Sequence, residues 1–274
     1  MNDRKPTALI TGASAGIGYE LAKLFAKDRY NLVLVARNGP KLSQFADELQ
    51  RHFGISAKSI AADLSWPQGP YSLFDDVQHG GSQIDILVNN AGYGKFGEFA
   101  KLPLEEDIGM IQLNMVTLTI LTKLFLGPML ERGSGKIMNV ASTAGFQPGP
   151  LMAVYYATKA YVISLSEALA NELQGSGVTV TCLCPGATDT EFQKRAGTEN
   201  TALFRKLRPM DAQTVARAGY RVANVDSTLI LAEPRIGPHA PAIQKRLSGA
   251  RPEIRLDRRG GVQRPDRLTF LWDG

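Results

Sequence analysis

Tyr155 follows Ser142 by thirteen positions, and Lys159 follows Tyr155 by four. Residues four apart share one face of a helix, so a helical stretch here brings a phenol and an ammonium together. A phenol is a poor acid or base at neutral pH, because its ordinary pKa is about 10. A neighbouring cation stabilises the phenolate and is expected to pull that value down, toward the range of efficient proton transfer. The Ser142 hydroxyl can hydrogen-bond a substrate oxygen while the phenol delivers or removes its proton. Tyr19 and Lys23 share the four-residue spacing, but nothing like Ser142 precedes them, and they are read as a solvated helix face. Tyr156 cannot replace Tyr155, since the residue four further on is Ala160.

A second constellation opens the chain: Thr11-Gly12-Ala13-Ser14-Ala15-Gly16-Ile17-Gly18 after an apolar strand-like run. Glycines at 12, 16 and 18 let the backbone turn tightly and let a diphosphate approach the helix N-terminus, where free N–H groups and the dipole favour negative charge. A carboxylate after the second strand would bind ribose hydroxyls and repel a 2′-phosphate. The chain has Val35-Ala36-Arg37 there, a guanidinium that can grip a phosphate, which favours NADP over NAD. Asp63, ending the third strand, is placed to accept from an adenine amino group or to cap a turn.

These residues need a scaffold, and the periodicity supplies one. Strands are predicted at Thr7–Thr11, Asn31–Ala36, Ser59–Ala62, Ile84–Asn89, Lys136–Ala141 and Val178–Cys184, with a short seventh at Thr228–Ala232. Helices are predicted at Tyr19–Lys27, Lys41–His52, Leu104–Leu126, Tyr155–Leu173 and Asp211–Asn224. This alternation implies an α/β fold: a Rossmann-like, doubly wound parallel sheet of about seven strands with helices on both faces. Residues 1–232 read as one catalytic domain. Residues 233–274, with five prolines and eight arginines, read as a basic, poorly ordered tail.

The net charge of +5 is carried mostly by the C-terminal part, so the body lacks the footprint of a nucleic-acid binder. Cys182 and Cys184 alternate in one apolar run and read as buried hydrophobes. The histidines are scattered, so no metal site is predicted. The polar N-terminus shows no signal peptide, and the apolar run Val116–Leu130, interrupted by Lys123 and Pro128, is read as too short to span a bilayer. A cytoplasmic protein with no membrane partner is expected.

In its ordered motifs the chain resembles a single-domain short-chain dehydrogenase/reductase over roughly Thr7 to Phe192. They are the Thr11–Gly18 turn, Asp63, Asn89-Asn90-Ala91-Gly92, Asn114, Ser142, Tyr155-Tyr156-Ala157-Thr158-Lys159 and Pro185-Gly186. The resemblance implies Tyr155 as general acid/base, Ser142 as substrate orienter, and Lys159 as a ribose ligand. It implies a water on Asn114 that relays protons to Lys159. Further cofactor contacts are implied at Ser14, Ile17, Leu64, Asn90, Ala91, Gly92, Pro185, Gly186 and Thr188. The implied activity is NADP-dependent hydride transfer to or from a carbonyl or secondary alcohol, in a homodimer or homotetramer. A catalytically silent dinucleotide-binding regulator or scaffold on the same fold is the alternative. Phe146, Pro148, Met152 and Phe192 hint at an apolar substrate pocket.

Overall fold

Five consecutive buried residues make Thr7–Thr11 a strand that is covered on both faces, which is how strands of a parallel sheet read. The computed structural model describes residues 4–198, 209–223, 229–232, 255–256 and 262–263. In chain order its elements begin β1 (Thr7–Thr11), α1 (Gly16–Lys27), β2 (Asn31–Ala36), α2 (Gly39–Phe53), β3 (Ala57–Ala61), α3 (Gly69–His79) and β4 (Ile86–Asn89). Next come α4 (Leu104–Ile111), a π turn (Gln112–Thr117), α5 (Leu118–Glu131), β5 (Gly135–Val140), a 3-10 turn (Thr143–Phe146), α6 (Ala153–Glu172) and β6 (Val178–Pro185). The rest are β7 (Thr188–Asp189), α7 (Phe192–Ala196), β8 (Met210–Asp211), α8 (Ala212–Ala223) and β9 (Leu229–Ala232).

Seven strands form one sheet in the order β3-β2-β1-β4-β5-β6-β9, and every pairing is parallel. The order reverses between β1 and β4, and a crevice outside the carboxyl ends of the strands opens at such a reversal. Leu21 and Phe25 of α1 and Leu42 and Phe45 of α2 fill one face of the sheet. Leu73 of α3 and Leu121 and Phe125 of α5 fill the other. Cys182 and Cys184 are fully buried free thiols, their sulfurs 3.8 Å apart, packed with Val162 and Ile163 of α6. No group of three metal-ligating residues occurs among the described residues.

Four expectations change. The strand read as Ser59–Ala62 lies at Ala57–Ala61, and the fourth begins at Ile86, where the ladder to Ala8 starts. The helix read as Leu104–Leu126 runs through the π turn and past Pro128 to Glu131. At 28 residues it is long and apolar enough to cross a membrane by length and composition alone. That corrects the reading of Val116–Leu130 as too short; here the helix lays Leu118, Leu121, Phe125 and Met129 into the core. Most of the expected tail lies outside the described residues. Within it, Arg255–Leu256 pairs antiparallel with Val262–Gln263.

Candidate active site

Helix α1 follows Ala15, and no side chain caps its first N–H groups and no acid stands in its first turn. Those donors and the positive end of the dipole are therefore left for an anion. Gly12 and Gly16 adopt φ of 67° and 59°, left-handed values that side chains disfavour. The turn is held from the end of β4. Asn90 donates its side-chain amide to the carbonyls of Thr11 and Gly12 at 2.9 and 3.1 Å. A Cβ on Gly12 would meet that amide at 2.8 Å, and one on Gly18 would meet it, and the Gly12 carbonyl, at 2.5 Å. Two of the three glycines are thus bare for the protein's own packing as well as for ligand approach. Asn90, implied to line the cofactor site, acts by shaping the turn. Thr11, to which the sequence assigned no contact, accepts from the backbone N–H of Asn90 and Ala91 at 3.0 Å each.

At the edge of the crevice, Arg37 is exposed at the end of β2. Asp63 accepts from the Ser65 hydroxyl and N–H at 2.6 and 2.9 Å. Together with nearby Arg37, these hold its carboxyl below the usual range. These bonds make Asp63 the cap of its turn. The neighbouring Leu64 is buried, and its carbonyl accepts from Thr117 of the π turn at 2.6 Å.

Ser142 follows β5 as the cap of the 3-10 turn. It accepts from Ala144 N–H at 3.1 Å and donates to the Pro185 carbonyl at 3.2 Å. Tyr155 and Lys159 lie on α6, both buried. The Lys159 ammonium donates to the Val140 carbonyl at 2.8 Å, and burial pulls its pKa down to about 8. Burial also pushes the Tyr155 phenol up to about 12, while its hydrogen bond with Ser142 pulls the other way. The expectation that Lys159 lowers the phenol is corrected here. The ammonium lies 5.8 Å from the ring centroid and is committed to a backbone carbonyl, whereas Met110, Ala144 and Met152 exclude water from the ring.

Asn114 is turned inward by the π turn and clamps the loop after β4. It accepts from Tyr93 N–H at 3.1 Å and donates to the Tyr93 carbonyl at 2.9 Å and to the Thr158 hydroxyl at 3.1 Å. Asn114 and Lys159 both border Gly92, where a Cβ would sit 3.0 Å from the Asn114 carbonyl oxygen and 3.6 Å from the Lys159 nitrogen. Thr158 in turn donates to the Tyr155 carbonyl at 2.7 Å. On the far side, Thr188 donates to the Gly186 carbonyl at 3.0 Å. Thr190 covers the glycine turn, its methyl 3.0 Å from where a Gly16 Cβ would lie. Ser14 and Ile17 lie half-buried in the same turn.

The apolar residues named from sequence divide. Met152 and Phe192 pack with Tyr155, whereas Phe146 packs toward Val162 and Cys182, and Pro148 is exposed. Tyr19 stacks on Phe45 at 4.1 Å with Lys23 5.3 Å from its ring centroid, so that pair is packing between α1 and α2 more than a solvated face.

The family model of short chain dehydrogenases matches residues 6–201. The chain belongs to the short-chain dehydrogenase family. A ketoacyl reductase of Nostoc sp. is 37% identical over 180 residues, covering 66% of this chain and 62% of that one. A very-long-chain 3-oxoacyl-CoA reductase of Anas platyrhynchos is 36% identical over 193 residues, covering 68% of this chain and 61% of its own. The chain thus spans about three fifths of these relatives. A solved short-chain dehydrogenase from Sphingobium yanoikuyae in complex with NADPH is 34% identical, with a TM-score of 0.81 over 90% of this chain and 93% of that one. A bulky-bulky ketone specific alcohol dehydrogenase from Comamonas testosteroni is 30% identical, with a TM-score of 0.76 over 89% and 92%.

Proposed function

We propose that this chain is an NADPH-dependent reductase of a carbonyl on an apolar substrate, with Tyr155 as the proton donor. The observation that carries the reading is the Ser142–Tyr155–Lys159 set at the carboxyl ends of β5 and β6, the same edge of the parallel sheet from which α1 starts uncapped. The residues fit a dinucleotide: free N–H groups of α1 for the diphosphate, a glycine cradle that any Cβ would fill, and Arg37 for a 2′-phosphate. When bound, the nicotinamide supplies or accepts the hydride.

The chain's own residues manage the proton. The Tyr155 phenol, hydrogen-bonded with Ser142, is placed to give its proton to a carbonyl oxygen that is gaining charge or to take it back. The Ser142 hydroxyl, steadied by the Ala144 N–H, orients that oxygen toward the phenol. Lys159, with its pKa near neutrality at about 8, can restore the proton or hold a ribose hydroxyl. Met152 and Phe192 keep bulk water from the phenol.

The cofactor choice follows from Arg37 standing where an acid would select NAD. Solved relatives with bound NADPH, 5-hydroxy-NADP and NADP, at 34%, 26% and 29% identity, support it. The relatives described as ketoacyl or 3-oxoacyl-CoA reductases support a 3-oxoacyl thioester or simple ketone as substrate. Self-association through the exposed Leu104 and Ile108 of α4 belongs to the same reading. The test is NADPH oxidation against aldehydes, ketones and 3-oxoacyl thioesters, with Tyr155→Phe as control. Consumption that survives in the control would overturn the reading. Cofactor binding without turnover of any carbonyl would favour the silent alternative.

A further inference from the structure

A cavity of about 450 Å³ opens just before β4 and β5 begin, between the C-terminal turns of α3 and α5. Ser142, Tyr155 and Lys159 belong to the other edge of the sheet, so the length of β5, about 20 Å, separates the two places. No residue assigned above to dinucleotide or substrate lines this cavity. Its volume is that of a small-molecule site. The apolar lining is Ile84, Phe125 and Pro128. Ile84 and Phe125 are buried, and Phe74 braces the Phe125 ring edge-on, with centroids 5.1 Å apart. The lip is open: a Cβ on Gly81, whose φ is 64°, would meet nothing within 4 Å.

The polar lining is short of an anion. Arg132 donates through Nη1 to the Pro128 carbonyl at 3.3 Å and through Nη2 to the Ile84 carbonyl. Its Nε, shielded from solvent, has no acceptor among the described residues. Carbonyls orient a guanidinium without neutralising it, and among the described residues no carboxylate forms an ion pair with this one. Asp85, whose charge acts on Arg132, is engaged by Arg4 at 2.6 Å, by the Thr7 N–H at 2.7 Å and by Gln83 at 3.1 Å. Glu131 lines the cavity but is exposed. Burial holds the Arg132 pKa below its ordinary value, the mark of a cation taken from water without a matching anion.

We infer that this cavity binds a small monocarboxylate with an apolar body, its carboxylate on Arg132 and its hydrocarbon against Phe125, Pro128 and Ile84. Two helix C-termini and the Glu131 carboxylate surround the space with negative potential, which opposes a dianion such as phosphate. One negative charge is enough to match Arg132, and the apolar lining accounts for the rest of the ligand. Such a site operates whether or not the chain reduces a carbonyl.

The test is calorimetric titration of hexanoate, hexanol and inorganic phosphate into wild type, Arg132→Gln, Glu131→Gln and Ser82→Leu, with Tm and NADPH affinity recorded for each. Wild type is expected to bind hexanoate about tenfold or more tighter than hexanol, the scale of one charge-assisted hydrogen bond. Arg132→Gln brings hexanoate down to the level of hexanol. Glu131→Gln removes a repulsion and tightens hexanoate by about threefold. Ser82→Leu fills the cavity from its half-buried lip and abolishes hexanoate binding, while Tm and NADPH affinity stay at wild-type values. Hexanoate affinity that is unchanged in both Ser82→Leu and Glu131→Gln places the carboxylate elsewhere and overturns the proposal, even where Arg132→Gln fails to fold. Hexanol or phosphate binding as tight as hexanoate, or no hexanoate binding by wild type, overturns it as well.

Discussion

Asn90 and Gly12 are joined across the reversal of the sheet: the amide just past β4 donates to the glycine carbonyl just past β1, 3.1 Å away. The same amide also serves Thr11, so one side chain fixes the shape of the glycine turn proposed to hold the dinucleotide. Asn90→Asp keeps the size but aims an anion at two carbonyls. It is expected to cost about 1–3 kcal/mol of stability and to weaken dinucleotide binding. Gly18→Ala, whose methyl would meet the Gly12 carbonyl, is expected to do the same. Thermal unfolding and a dinucleotide titration check both variants; wild-type affinity in Asn90→Asp would remove Asn90 from any role in the turn.

Tyr155→Phe deletes one hydroxyl from a side chain whose ring packing remains. Dinucleotide affinity and Tm are expected to hold while turnover falls by about a hundredfold or more. Tyr156→Phe, half-buried beside it, is expected to change turnover little. Single-turnover kinetics on any accepted ketone distinguish the two.

Arg37→Asp is expected to weaken NADP(H) far more than NAD(H), because a repulsion replaces an ion pair at the 2′-phosphate. Raising the salt concentration should narrow the wild-type preference, since Arg37 is exposed. Parallel fluorescence titrations of both cofactors give the answer, and tighter binding of NAD(H) by wild type would reverse the assignment.

The pH dependence of stability carries the signature of Lys159. Its folded pKa of about 8 lies below the ordinary lysine value of 10.5, so between those values the unfolded chain binds a proton that the folded chain does not. Stability is therefore penalised below about pH 8 and recovers as pH rises toward 10.5. Lys159→Met abolishes that slope. The Val140 carbonyl, left without its donor, shifts every value for the variant alike and leaves the slope readable. Tyr155 acts in the opposite sense above pH 10, where the unfolded phenol ionises first. Denaturant melts between pH 7 and pH 9.5 compare the two proteins, and parallel curves would contradict the burial assigned to Lys159.

The sheet and the Ser142–Tyr155–Lys159 grouping were legible because each rests on a local rule. Buried parallel strands read as apolar runs, and Tyr155 and Lys159 needed only a helix to meet. The electrostatics were not legible in the same way. Spacing says that an ammonium is near a phenol, but not that Val140 accepts its hydrogen bond or that Met110, from another helix, helps to dry the ring. Nor could the sequence show that Gly12 and Gly18 make room for Asn90, since that contact joins segments more than seventy residues apart. The hydrogen bonds that Thr11 accepts were missed for the same reason: their donors are distant in the chain.

Cys182 and Cys184 give this molecule a built-in clock. With both residues at 0% exposure behind α6, a thiol reagent reaches them only when β6 parts from that helix. The rate of labelling in native buffer therefore counts the openings of the layer that carries Tyr155 and Lys159, one event at a time. Any compound that binds across β5, β6 and α6 must slow that count, whether or not it is ever turned over. Ligands can thus be sought by the silence of two buried thiols, before any substrate has a name.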